Sequence, residues 1–245
     1  MVGNLIMILQ LLDKRCRHVI VDIDTQRDFL LAGGHACVWN HSEVLANIRR
    51  VMAWARRHDI SVISTAEVRP NGSETKMGYC VDGTNGQRKI RYTLLSERAS
   101  FPADDMNALP VDLLRAHRQI VLHKRCADPF EEPRIERLLS ELRADEFILI
   151  GAGAEDAVQA TALGLLHRGK KVTVIVDALG GHDRKEAKLA IRKMRAKGAN
   201  LVSTRNLAGI SHLRQVGACR CPKCRSLANI RSAEIGTEHR TSAAV

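Results

Sequence analysis

Residues 148–178 constrain the fold more than any other part of this sequence. They read ILIGAGAEDAVQATALGLLHRGKKVTVIVDA: an apolar run, a glycine-rich turn, an amphipathic segment and a second apolar run reaching Asp177. Two short aliphatic runs joined by one helix-length segment make a strand–turn–helix–strand unit, because such strands bury both faces only when helices cover them. In sheets built this way, the turn leaving a strand is where a nucleophile or a phosphate sits. Here the turn and the start of its helix hold Gly153, Ala154, Glu155, Asp156 and Ala157, with no Ser, Cys, Thr or Lys. The site is framed, and its reactive group is missing.

The same alternation covers most of the chain. Residues 18–24 (HVIVDID), 60–65, 119–123, 146–151, 171–177 and 200–203 read as strands. Helical spacing marks 42–58, through Val44, Leu45, Ile48, Val51, Met52 and Ala55, and recurs at 111–117, 133–143, 155–168 and 184–197. The pattern predicts a three-layer α/β/α domain around a six-stranded parallel sheet. Residues 69–98 are polar and too long for a plain connection, which marks them as functional or flexible. We divide the chain into an N-terminal segment (1–14), expected to pack as a short helix, a body (15–210) and a basic tail (211–245).

Composition narrows the function. Aromatics are 3% of the residues, so the core is aliphatic, and base stacking on nucleic acid is disfavoured. The net charge is +11, of which residues 205–245 supply seven Lys or Arg against two acids. Charge of this kind speaks to association rather than to fold. Seven cysteines, an odd number, without a secretory leader point to free thiols in a reducing cytoplasm. The apolar stretch near the N-terminus is too short to span a bilayer.

Ligands of a parallel sheet gather at the carboxyl ends of its strands, here Asp24, Thr65, Lys124, Gly151 and Asp177. Asp24 ends VDID, where a carboxylate can act as a base, cap a helix or simply be solvated. Lys124 would stand beside the same cleft if its strand and the first flank a topological switch, and there it could stabilise an oxyanion. Gly151, Gly153 and Asp177 also fit the outline of a dinucleotide fingerprint. Against that, Glu155 and Asp156 would compete with a pyrophosphate for the helix amides, and they read better as charges complementing the helix N-terminus.

Several motifs in order carry a resemblance to the isochorismatase-like cysteine hydrolases, the group that includes nicotinamidases. VDIDTQRDFL, the GGHACVWNHSEVLANIRRVM that follows, YCVDGTNGQRKI, HKRCADPF and GAGAEDAVQATALGLLHRGKKVTVIVDA are each similar to a family segment, together spanning residues 15–205. The resemblance implies that Asp24 is the catalytic aspartate, Lys124 the catalytic lysine and Phe130 the aromatic trailing it. It also implies a cysteine thiolate at the helix N-terminus that attacks an amide or similar carbon. A helix N-terminus lowers a thiol pKa, and its amides can hold an oxyanion. The matching position here is Ala157, which cannot form a thioester. The family's metal-binding aspartate and first histidine fall at Glu67 and Arg69, so no metal is expected there and no cofactor is predicted.

Cys37 and Cys126 lack the helix N-terminus that would activate a substitute thiol. Asp156, about 100° round a helix from Ala157, is expected to miss the site. In the tail, Cys219, Cys221 and Cys224, with His212 or His239, have partial zinc-ligand spacing but lack a second Cys pair. The leading reading is an isochorismatase-family protein resembling hydrolases of small amides, weakened or inactivated by Ala157. Two alternatives stand beside it: a non-catalytic pseudoenzyme binding a small molecule or partner in the old cleft, and a nucleic-acid-associated protein acting through its tail. The resemblance is compatible with a homo-oligomer, and no membrane partner is expected.

Overall fold

The computed structural model describes residues 16–72, 78–110 and 113–209. The predicted N-terminal helix and the tail cysteines Cys219, Cys221 and Cys224 lie outside them. Seven strands form one sheet: β1 (Cys16–Ile23), β2 (Ser61–Glu67), β3 (Arg98–Phe101), β4 (Gln119–Lys124), β5 (Ala144–Ala152), β6 (Val172–Gly180) and β7 (Asn200–Val202). Their order is β3–β4–β2–β1–β5–β6–β7, and every neighbouring pair is parallel. The helices are α1 (Arg27–Leu30), α2 (His41–Arg57), α3 (Leu113–Ala116), α4 (Pro133–Glu141), α5 (Ala157–His167), α6 (Arg184–Ala196) and α7 (Thr204–Ala208).

Successive residues of β1 point into different layers. Val19, Val21 and Ile23 join Ile135 and Leu139 of α4, Val158 and Leu165 of α5, and Met194 of α6. Ile20 joins Val44, Ile48, Val51 and Met52 of α2. Each such aliphatic side chain contributes about 1.5–3 kcal/mol when fully buried. The architecture is therefore the three-layer α/β/α parallel sheet expected from sequence, with a seventh strand. That strand is β3, Arg-Ala-Ser-Phe, whose residues alternate between exposed and half-buried. It carries no apolar run to announce it. It pairs along the outer edge of β4, which would otherwise leave a row of backbone groups unpaired.

The sheet order places the cleft. From β1 the chain passes to β2, then to the outer edge as β3 and back between them as β4, before crossing to β5 on the other side of β1. The switch point thus lies between β1 and β5, at their carboxyl ends. Gly151 makes the junction possible: its φ is +144°, and a Cβ there would stand 1.9 Å from the Ile23 carbonyl oxygen. No helix among the described residues is long and apolar enough to cross a membrane.

Candidate active site

Asp24 follows the last residue of β1 with left-handed backbone (φ +48°), a conformation that Asp tolerates better than most residues. It is almost fully buried. The Thr65 hydroxyl donates to Asp24 Oδ1 at 2.7 Å and accepts from the Asp24 amide at 3.2 Å. The other carboxylate oxygen, Oδ2, lies 2.8 Å from Lys124 Nζ. Lys124 closes β4, is fully buried, and also donates to the Cys126 carbonyl at 2.8 Å.

The strands of Asp24 and Lys124 do not themselves flank the switch, contrary to the condition set from sequence. β2 runs between them, and the long lysine side chain crosses its end to reach Asp24. Burial would lower the lysine pKa, but the carboxylates of Asp24 and Glu67 outweigh it and hold the pKa above that of a free lysine. The pair is therefore an ammonium–carboxylate contact with its partners already in place.

Asp24 opens onto a small cleft of about 70 Å³, lined further by Phe29, Tyr79, Gly153, Asp156, Ala157 and His182. Ala157 is the first residue of α5 and presents a buried methyl. Asp156 lines the same cleft, which corrects the expectation that it would miss the site. The expectation assumed helical spacing, but Asp156 has φ −115° and ψ −101° and precedes the helix. No side-chain bond from Asp156 caps α5.

Glu155 does not serve its own helix either: its Oε1 accepts from the amides of His182 and Asp183 at 2.6 and 2.8 Å. Asp177 accepts from the Thr204 amide and hydroxyl at 2.7 and 2.8 Å, which fixes the start of α7. These contacts give both acids structural work and leave the dinucleotide reading without its ribose ligand.

The other thiols are not activated. The Cys126 pKa is pushed up to about 11, by burial first and then by neighbouring carboxylates including Glu131. Cys37 is raised by burial. Cys80, buried in the YCVDGT segment, is driven far above the ordinary range by burial and then by Glu67 and Asp24. None of the three lines the cleft.

Where the resemblance would put a metal, Arg69 instead pairs with Glu67. Its Nη2 and Nε lie 2.6 and 2.8 Å from Glu67 Oε1. Nη2 also donates to the Tyr79 hydroxyl at 2.6 Å, and the guanidinium sits 4.1 Å from the Tyr79 ring centroid. A divalent ion would meet a fixed cation and a carboxylate oxygen already engaged. No group of three His, Cys, Asp or Glu among the described residues is arranged to hold a metal. These residues do not fit one.

Sequence reasoning missed the aromatic wall of the cleft. The Phe29 ring lies 5.4 Å from Tyr79 and 5.9 Å from His182, between centroids. Phe29 and Tyr79 stood inside motifs already singled out. His182 follows the glycine pair that ends β6, and nothing local distinguishes it from a surface histidine.

Comparison with known proteins agrees with this fold. A family model described as the isochorismatase domain matches residues 18–206. The structure is similar to the pyrazinamidase of Pyrococcus horikoshii solved in complex with zinc, at 20% identity and TM-score 0.60, covering 76% of this chain and 99% of that one. It is also similar to the MAR1 ribonuclease of Caenorhabditis elegans (20% identity, TM-score 0.55, 89% and 91% covered). A third neighbour is a nicotinamidase of Bacillus subtilis (14% identity, TM-score 0.61, 76% and 99% covered). At these identities the likeness speaks for the fold. No curated protein matches the sequence.

Proposed function

This chain belongs to the isochorismatase family, with the hydrolase fold of its nicotinamidase-type neighbours, and from that premise we propose that it binds a small amide or related carbonyl compound but turns it over weakly or not at all. The observation that carries this reading is Ala157. It stands at the start of α5, in the same cleft as Asp24, where the resemblance puts the nucleophilic thiol.

In the family's chemistry an aspartate takes the thiol proton while a lysine balances the charge that develops. Asp24 and Lys124 remain in contact, but Asp24 now shares the cleft with a methyl. A carboxylate held in place by a buried ammonium can still orient a ligand's amide. Phe29, Tyr79 and His182 give a flat ring something to rest against. The pair has thus outlived the covalent step in this reading, and the cleft serves as a binding site.

Restoring the thiol tests it. Ala157→Cys should be alkylated by iodoacetamide near neutral pH well ahead of Cys37, Cys80 and Cys126, as read by peptide mass mapping. The variant should also gain nicotinamide hydrolysis that Asp24→Ala removes. Wild-type protein that hydrolyses nicotinamide at an ordinary enzymatic rate would overturn the reading. A cysteine at 157 that stays unlabelled would show that the site has been misplaced.

A further inference from the structure

The positive charge of this protein is concentrated, and one concentration lies on the folded body. α6 carries six Lys or Arg against one Glu. Together with residues 205–245 it holds nearly the whole net charge of +11, so the rest of the chain is close to balanced. Elsewhere on the body, cations meet acids: Arg134 pairs with Asp104, Arg137 with Glu141 and Arg168 with Glu136. On α6 they do not. Arg184, Lys185, Lys188, Arg192 and Arg195 are exposed, and at 100° per residue they fall within an arc of about 100°. The opposite side buries Ala187, Ala190 and Met194 against the sheet. Arg184, Lys188 and Arg192 follow one another at four-residue spacing, an arrangement of like charges that weakens a helix. Such a stripe is tolerable when a polyanion neutralises it.

Two further observations say which polyanion. The cations of Arg184, Lys188, Arg192 and Arg195 step along the axis by about 4.5–6 Å, comparable to neighbouring phosphates on an extended single strand. At the N-terminal end Trp39 is 46% exposed and lies under the Arg184 guanidinium, 4.4 Å from the ring centroid. An exposed indole beside a cationic track is a platform for an unpaired base. A lipid surface fits less well, because beside the cations the face offers only Trp39 and Leu189, too little apolar area for an interfacial helix. The stripe starts at the mouth of the cleft, since His182 lines the cleft and the next residue, Asp183, caps α6.

We propose that the outer face of α6, with Trp39, binds the phosphate backbone of single-stranded nucleic acid. Sequence composition pointed to the tail as the place for such contact; the residues proposed here, Trp39 and 184–195, belong to the body, and the proposal is independent of the ligand proposed for the cleft.

The test uses the full chain and a fluorescent oligouridine of about 20 nucleotides, with anisotropy read over a series of salt concentrations. Lys188→Ala/Arg192→Ala/Arg195→Ala should weaken binding at least about tenfold at low salt and reduce the logarithmic salt slope by about 2. Trp39→Ala should weaken binding about fivefold or more for the single strand and leave a duplex of the same length unaffected. A tail variant, Arg214→Ala/Arg220→Ala/Arg225→Ala, should retain most of the affinity. Thermal melts of the α6 and Trp39 variants should match the wild type, because every side chain removed is exposed. The proposal is overturned if the α6 variant binds like wild type, if the tail variant alone abolishes binding, or if phosphatidylserine vesicles bind the protein while oligouridine does not.

Discussion

The two helices that start beside the cleft begin in opposite ways. α6 is closed. Asp183 Oδ1 accepts from the amides of Lys185 and Glu186 at 2.7 and 2.9 Å, and Glu155 accepts from the two amides just ahead of the helix. α5 is open. Asp156 stands before it without a capping bond, and its first residue shows a methyl to the cleft. The acid before it in sequence, Glu155, has been taken by α6. First-turn amides without partners cost stability. The Val158 amide turns back to the Gly153 carbonyl at 2.9 Å, so the contrast lies in the side-chain caps: α6 has them, and α5, whose first residue shares the cleft with Asp24, has none.

The largest expected effect lies beneath the open end. Lys124→Met leaves the Asp24 carboxylate buried and unpaired and should cost about 3–5 kcal/mol in urea unfolding. A loss under about 1 kcal/mol would mean that the cleft carboxylate is solvated and that the pair does not support the open side. Next comes the closed end. Glu155→Ala orphans two amides at once and should cost about 1–2 kcal/mol. A neutral result would remove the contrast between the helices.

Asp183→Ala should lower Tm by about 2–4 °C, with a pH signature. The amides of Glu186 and Lys185 hold the Asp183 carboxyl below its ordinary range. A carboxyl depressed in the folded state contributes stability that is present above its unfolded pKa and lost as pH falls through the folded value. The Tm gap between wild type and variant should therefore be full at pH 6 and close as the pH drops below about 4. A gap that persists at low pH would mean the side chain acts by packing instead. The smallest effect belongs to Asp156→Asn, which caps nothing and should change stability by less than about 0.5 kcal/mol. A larger loss would show that α5 has a cap after all.

Much of the frame was legible because it rests on local patterns. Aliphatic runs of strand length separated by 3.6-residue periodicity gave six of the seven strands and the layer order. Asp24 and Lys124 announced themselves as polar residues ending apolar runs. β3 was not legible, since Arg-Ala-Ser-Phe is a strand only because β4 has an edge to fill. α5 begins two residues later than its periodicity suggests, because the backbone of Asp156 leaves the helical region.

By itself, then, the sequence determined the parallel sheet, the family motifs and the absence of a thiol at position 157, all of which depend on residue identity and neighbours a few positions apart. The tertiary structure decided the rest. It carried Lys124 across β2 to Asp24, set Arg69 against Glu67 and Tyr79, brought Phe29 of α1 and His182 of the turn after β6 to one wall, turned Asp156 into the cleft and left five cations on one exposed arc of α6. Those outcomes depend on strand order and on which surfaces remain uncovered. The side chains that meet in the cleft are up to about 150 residues apart in the chain, and no local pattern encodes a contact over that distance.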